Sequence, residues 1–157
     1  MSRYLLLFVG CIGFLNGCVT ARHGSLGDNP SFGEKDLQTL RYWYGKNTPD
    51  RHNEAVASAL KYYRADYSAL VVAATNKDQR ALSSLMSFTM DGEAGEIHDV
   101  TLGLLLAGLG DDFFSAVLKS QSRAVRKLVL DSLSMYGPGY IPEMRTRNPK
   151  TFSVSRR

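Results

Sequence analysis

From residue 31 onward, apolar side chains recur at three- and four-residue steps with polar residues between them, the period of an amphipathic helix. No stretch shows a convincing strand pattern. Leu37, Leu40 and Tyr44 share one face of a first helix. Ser31 and Glu34 open it in the spacing of a capping box, and Gly45 and Pro49 stop it. Asp50 is placed to cap a second helix. The stripe Val56, Ala59, Leu60, Tyr63, Tyr67, Leu70 and Val71 then fits either one helix running to Ala74 or two joined near Asp66. Asn76 and Gln79 repeat the capping-box spacing ahead of Leu82, Leu85, Met86 and Met90, and Gly92 and Gly95 break the chain. Ile97, Val100, Thr101, Leu104, Leu105 and Gly108 mark the next helix, ended by Gly108 and Gly110. Asp111 or Asp112 caps another carrying Phe113, Phe114, Val117 and Leu118. The last carries Val125, Leu128, Val129, Ser132 and Leu133 before Gly137-Pro138-Gly139. The pattern predicts an all-α domain over residues 31–136 with about five to seven helices.

Asp111 to Leu133 resembles one HEAT-type repeat, with two short helices, a tight polar turn at Ser120-Gln121-Ser122, and Val125-Arg126 opening the second helix. The resemblance implies that Val125 packs inward and Arg126 lies along the ridge. Residues 77–90 and 96–109 fit a preceding unit loosely, and 51–74 supplies a third of the kind a repeat array needs. Two architectures follow: a small right-handed array of HEAT-like helical hairpins, or a helical bundle, which explains the same stripes.

The chain before residue 31 is patterned differently. After Arg3 and Tyr4, an uncharged apolar run extends from Leu5 to Leu15. A membrane-crossing helix needs ~20 apolar residues; this run instead has the length of the apolar region of a secretory signal. It leads directly into Leu15-Asn16-Gly17-Cys18, which resembles the lipobox of bacterial prolipoprotein signals. Leu15 and Gly17 match that pattern, and Asn16 stands where a small residue is usual. The resemblance implies cleavage after residue 17, acylation of Cys18, and a lipid-anchored protein of the bacterial envelope. Val19, in place of an Asp directly after the Cys, implies the outer membrane with the domain facing the periplasm. Residues 1–17 are then the signal peptide. Residues 18–30, rich in Gly, Ser, Asp and Asn, form a tether that lets a domain stand off a bilayer. Cys11 is the only other cysteine, so the mature chain keeps no free thiol for disulfides, thiolate catalysis or a Cys-based metal site.

The formal charge of +4 is concentrated at the end of the chain. Arg145, Arg147, Lys150, Arg156 and Arg157 stand there against Glu143, which leaves the body near neutral. A near-neutral body argues against a nucleic-acid partner. Residues 137–157, basic and without periodicity, are expected to be disordered and capable of adding attraction to anionic lipid.

Candidate chemistry is sparse. Glu93, Glu96, His98 and Asp99 are the best metal-like grouping, but they lack ligand-pair spacing and suit a solvated helix start, where acids meet the dipole. Ser58-Ala59-Leu60-Lys61 has the Ser-x-x-Lys spacing without its companion motifs. No catalytic residue, metal ligand or cofactor is expected. The aromatic clusters Tyr42-Trp43-Tyr44 and Tyr62-Tyr63 with Tyr67 cannot all face inward, so Tyr42, Trp43 and Tyr62 are candidate partner contacts. The expectation is a non-enzymatic interaction or accessory factor, held to the membrane through Cys18 and bound to an envelope protein. Its alternatives are a toxin-neutralising immunity lipoprotein and, behind both, an envelope enzyme built on Glu93–Asp99.

Overall fold

A computed structural model describes residues 31–45, 54–135, 141 and 143–154. The signal peptide, Cys18, the tether, Asp50 and Gly137-Pro138-Gly139 lie outside the described residues. Among those described the chain is all-α, without a strand. In order come α1 (Ser31–Tyr44) and α2 (Glu54–Ser58), which continues into a π-helical segment (Ala59–Tyr63). Then follow α3 (Tyr67–Thr75), α4 (Gln79–Met86), α5 (Gly92–Leu109), α6 (Asp111–Lys119), α7 (Arg123–Met135), α8 (Met144–Arg147) and α9 (Pro149–Ser153).

Helix α5 is the axis. It buries Ala94, His98, Thr101, Leu102, Leu105, Leu106 and Leu109, and α1, α2, α3, α6 and α7 all pack on it. A helix apolar on nearly every side is stable only when covered on nearly every side. The α1 crossing is the closest: a Cβ on Gly108 would stand 2.9 Å from the Gly33 carbonyl oxygen and 2.4 Å from Leu37 Cδ2. Only glycine permits that approach. Helix α6 lies against α9, α5 and α4, and α7 lies against α5.

Helix boundaries follow local chemistry, in places differently from the sequence pattern. The long stripe from Val56 is two helices. The π segment closes on Arg64, left-handed at φ 53°, and Asp66 caps α3 by accepting from the Ala69 N–H at 2.9 Å. Gly92 and Gly95 lie within the start of α5 instead of breaking the chain ahead of it. Glu34 meets Arg41 Nη1 at 2.9 Å. Arg41 also donates from Nη2 to the Thr75 carbonyl at 3.0 Å, tying α1 to the C-terminus of α3.

The α4 cap is Asp78, not Asn76: its carboxylate accepts from the N–H groups of Arg80 and Ala81. Asn76 ends α3. Lys77 N–H bonds the Ala74 carbonyl and Asp78 N–H the Ala73 carbonyl, the Schellman pattern. Lys77 occupies its left-handed position at φ 62°, where glycine is usual.

The expected disorder of residues 137–157 is corrected for the part described. Ile141, Met144, Thr151 and Val154 are buried, and α9 packs on α6. Met144 Cε lies 3.5 Å from where a Cβ on Gly103 would stand, so the segment reaches α5 itself. Composition hid this because the fastening is long-range. Pro149 opens α9 without an N–H, and the next two donors, Lys150 and Thr151 N–H, both bond the Asp111 carboxylate at 2.7 Å. Lys150 Nζ pairs with Asp112.

Two predictions follow from these caps. Asp111→Ala should lower stability by about 1–2 kcal/mol in urea unfolding and speed tryptic cleavage after Arg145 and Arg147; unchanged cleavage would mean that the segment is held by packing alone. Lys77→Gly relieves a left-handed non-glycine residue and should raise stability by about 0.5–1 kcal/mol in the same titration.

Candidate functional site

The π segment decides which aromatic residues meet solvent. Its i→i+5 turns are wider than α turns, so the stripe Val56–Ala59–Leu60–Tyr63 slips out of register. Ala59 stays in the core, while Leu60, expected inside, is 67% exposed and Tyr62 is 67% exposed. Lys61 does not face a serine nucleophile; its Nζ lies 4.7 Å from the Tyr62 ring centroid. Tyr63 is held firmly: its hydroxyl donates to the Thr89 carbonyl and accepts from the Thr89 N–H, both at 2.7 Å. Its ring packs on Phe88 at a centroid distance of 4.4 Å. Ser58, Tyr62, Tyr63, Thr89, Met90 and Asp91 enclose a hollow of about 570 Å³.

The three sequence candidates therefore separate. Tyr42 on α1 is 68% exposed, as is Tyr62 to nearly the same degree, whereas Trp43 is half-buried against the core. The structure brings together Tyr62 with Leu60 and Tyr63, of which Leu60 was missed because a periodic reading assumes α geometry throughout.

Beneath Tyr63 and Phe88 lies a buried polar–aromatic cluster. The Tyr67 hydroxyl is 2.8 Å from His98 Nδ1, the Tyr44 hydroxyl 3.1 Å from Thr101 Oγ1, and Thr101 donates to the Ile97 carbonyl at 2.8 Å. Thr101 has thereby used its proton, so Tyr44 is the donor in their bond. The rings of Tyr44 and His98 each meet Tyr67 edge-on. His98 is 3% exposed, not the solvated helix-start residue expected from the acids around it. Its helical spacing with Thr101, Leu102, Leu105 and Leu109 was the signal that placed it inside. Burial pushes the imidazole down to about 4, opposed by the nearby Leu85 carbonyl. Nε2 nonetheless makes no hydrogen bond of normal geometry. At neutral pH the ring is uncharged. Burial also keeps Tyr67 protonated, so Tyr67 donates to Nδ1 and Nε2 carries the ring proton.

The acids near His98 do not converge on it. Glu93 and Glu96 are exposed, and Asp99 is half-buried, its carboxyl raised by burial and lowered by a hydrogen bond from Ser132. Among the described residues no three His, Cys, Asp or Glu side chains are grouped to hold a metal ion. The chain matches no family model, no curated protein and no solved structure.

The buried imidazole makes stability depend on pH. The unfolded chain takes up a proton near pH 6.5 and the folded chain only near 4, so stability is complete above 6.5 and is lost as pH falls toward 4. The span corresponds to about 3 kcal/mol. In denaturant titrations between pH 7 and 4, the stability advantage of the native protein over His98→Gln should shrink by that order. A constant gap would show that His98 is not buried neutral.

Proposed function

We propose that the protein is a membrane-anchored bacterial lipoprotein whose helical body serves as a non-enzymatic interaction or accessory factor in an envelope complex. The observation that carries the anchor is the uncharged run Leu5–Leu15 leading without interruption into Leu15-Asn16-Gly17-Cys18. One acyl chain gives only marginal, reversible membrane binding, whereas multiple chains on Cys18 give stable attachment. No helix among the described residues is long and apolar enough to cross a membrane. The interaction role is supported by large apolar side chains that packing leaves outward, among them Tyr42, Leu60, Tyr62 and Met135.

The intact mass and membrane partitioning of the native protein, measured beside Cys18→Ser, test the anchor. The expected mass begins at Cys18 and includes acyl chains, and the variant accumulates unprocessed. A native chain that retains Met1 and fractionates with soluble protein would overturn the proposal.

A further inference from the structure

Two chain segments close around the hollow beside the π segment. Ser58, Tyr62 and Tyr63 come from α2 and its π continuation, and Thr89, Met90 and Asp91 from the link between α4 and α5. Its volume of about 570 Å³ falls in the range of small-ligand sites, ~300–1,000 Å³. Among the described residues Asp91 is the only charged one in the lining. We infer that this hollow binds a primary ammonium group carried on an apolar stem, as a lysine side chain or a free alkylamine presents it. The site goes beyond the interaction role proposed above, because it recognises one functional group whichever molecule carries it and does not depend on the anchor at Cys18.

The Asp91 carboxylate is left for a ligand. In the adjoining α3–α4 groove, which shares Tyr63 and is also lined by Arg80, the carboxylates of Asp66 and Asp78 accept from backbone N–H groups of the helices they cap. Asp91 holds the same position ahead of α5 and makes no such bond. Among the described residues it joins no ion pair, and the hydroxyls of Ser58 and Thr89 make no hydrogen bond. A primary ammonium carries three donors and no acceptor. The lining offers it one carboxylate and two hydroxyls as acceptors, whereas a quaternary ammonium has no proton to give them.

The walls suit the charge and the stem together. Tyr62 and Tyr63 present aromatic rings, which attract cations at their faces, and Met90 presents an adaptable thioether. Tyr62 already meets an ammonium from its own chain, Lys61 Nζ at 4.7 Å from the ring centroid. Lys61 does not line the hollow and forms no ion pair with Asp91. The two walls are also tied to each other, since the Tyr63 hydroxyl bonds both the carbonyl and the N–H of Thr89 at 2.7 Å. The link itself lies close on α5: a Cβ on Gly95 would stand 2.6 Å from the Met90 carbonyl oxygen. A hollow fixed in this way before binding reduces the ordering cost of taking a ligand.

Nuclear magnetic resonance on the native full-length protein in non-ionic detergent tests the site. The protein is isotope-labelled at its methionine methyl groups, and the Met90 signal is assigned from Met90→Leu. The probes are Nα-acetyl-lysine methylamide and n-butylammonium, with Nα,Nε-diacetyl-lysine methylamide as the uncharged control. Both amines should shift the Met90 methyl saturably with a Kd of about 1 mM, and the control should not. Asp91→Asn should weaken both about fivefold, and Tyr62→Leu about threefold. Both side chains are exposed, and circular dichroism melting checks the fold of each variant. Tighter binding of the lysine amide assigns the site to a polypeptide side chain, and equal or weaker binding than n-butylammonium assigns it to a free amine; either outcome supports the inference. A Met90 methyl that does not move, equal shifts with the diacetyl control, or affinity unchanged by Asp91→Asn would overturn it. Phosphoethanolamine binding more tightly than n-butylammonium would overturn it in favour of a lipid headgroup.

Discussion

Helix α5 cannot be exposed to water on any wide face, and the rest of the fold is arranged by that requirement. Five helices cover it, and the nearest, α1, does so only because Gly33 and Gly108 bring two backbones together without intervening side chains. Tyr44 and Tyr67 then supply rings and hydroxyls where α5 carries polar side chains into the core, at Thr101 and His98. Such a network is stable when satisfied and costly where it is not. One atom of this network, His98 Nε2, is left without a good partner, and burial of the imidazole opposes its protonation.

Much that is decided within one helical turn was legible in the sequence, although the α4 cap is Asp78 where the spacing named Asn76. The stripes of α1, α4, α6 and α7 and the turn at Ser120–Ser122 follow from local periodicity, while the stripe from Val56 allowed one helix or two until the Asp66 cap decided it. Features decided at a distance were not legible. Asp111 bonds the start of a helix some forty residues later, and no local rule connects a carboxylate to donors that far along the chain. His98 looked solvated because acids surround it in sequence, yet its side chain leaves them on the other side of α5. At Leu60 the error came from the period itself, since one π segment is enough to turn an inward position outward. The candidate site was thus half visible: Tyr62 could be named, while the groove beside it depends on how α3 and α4 meet.

The connection between α3 and α4 compresses several functions into two residues. Asp78 closes the end of α3 with its N–H and opens α4 with its carboxylate. So short a connection demands a left-handed residue immediately before it, and Lys77 fills that position although glycine would do so at lower conformational cost. The connection from the π segment to α3 also carries a left-handed cation, Arg64, here two residues ahead of the cap Asp66. In both places a cap carboxylate is drawn onto the backbone and a cation is left at the surface.

That repetition links the local chemistry to the overall shape. A groove between two helices normally acquires charges of both signs at its ends, because acids cap N-termini and cations favour C-termini. Here the two acids of the groove lining, Asp66 and Asp78, are engaged by the caps of α3 and α4 and stand beside Arg80. The π segment lies at one end of this groove and turns Leu60 and Tyr62 outward where a regular helix would have turned Leu60 inward. The α5 axis holds this end at a helix length from the start of α1, and no helix that covers the core lies over Leu60 or Tyr62, both 67% exposed.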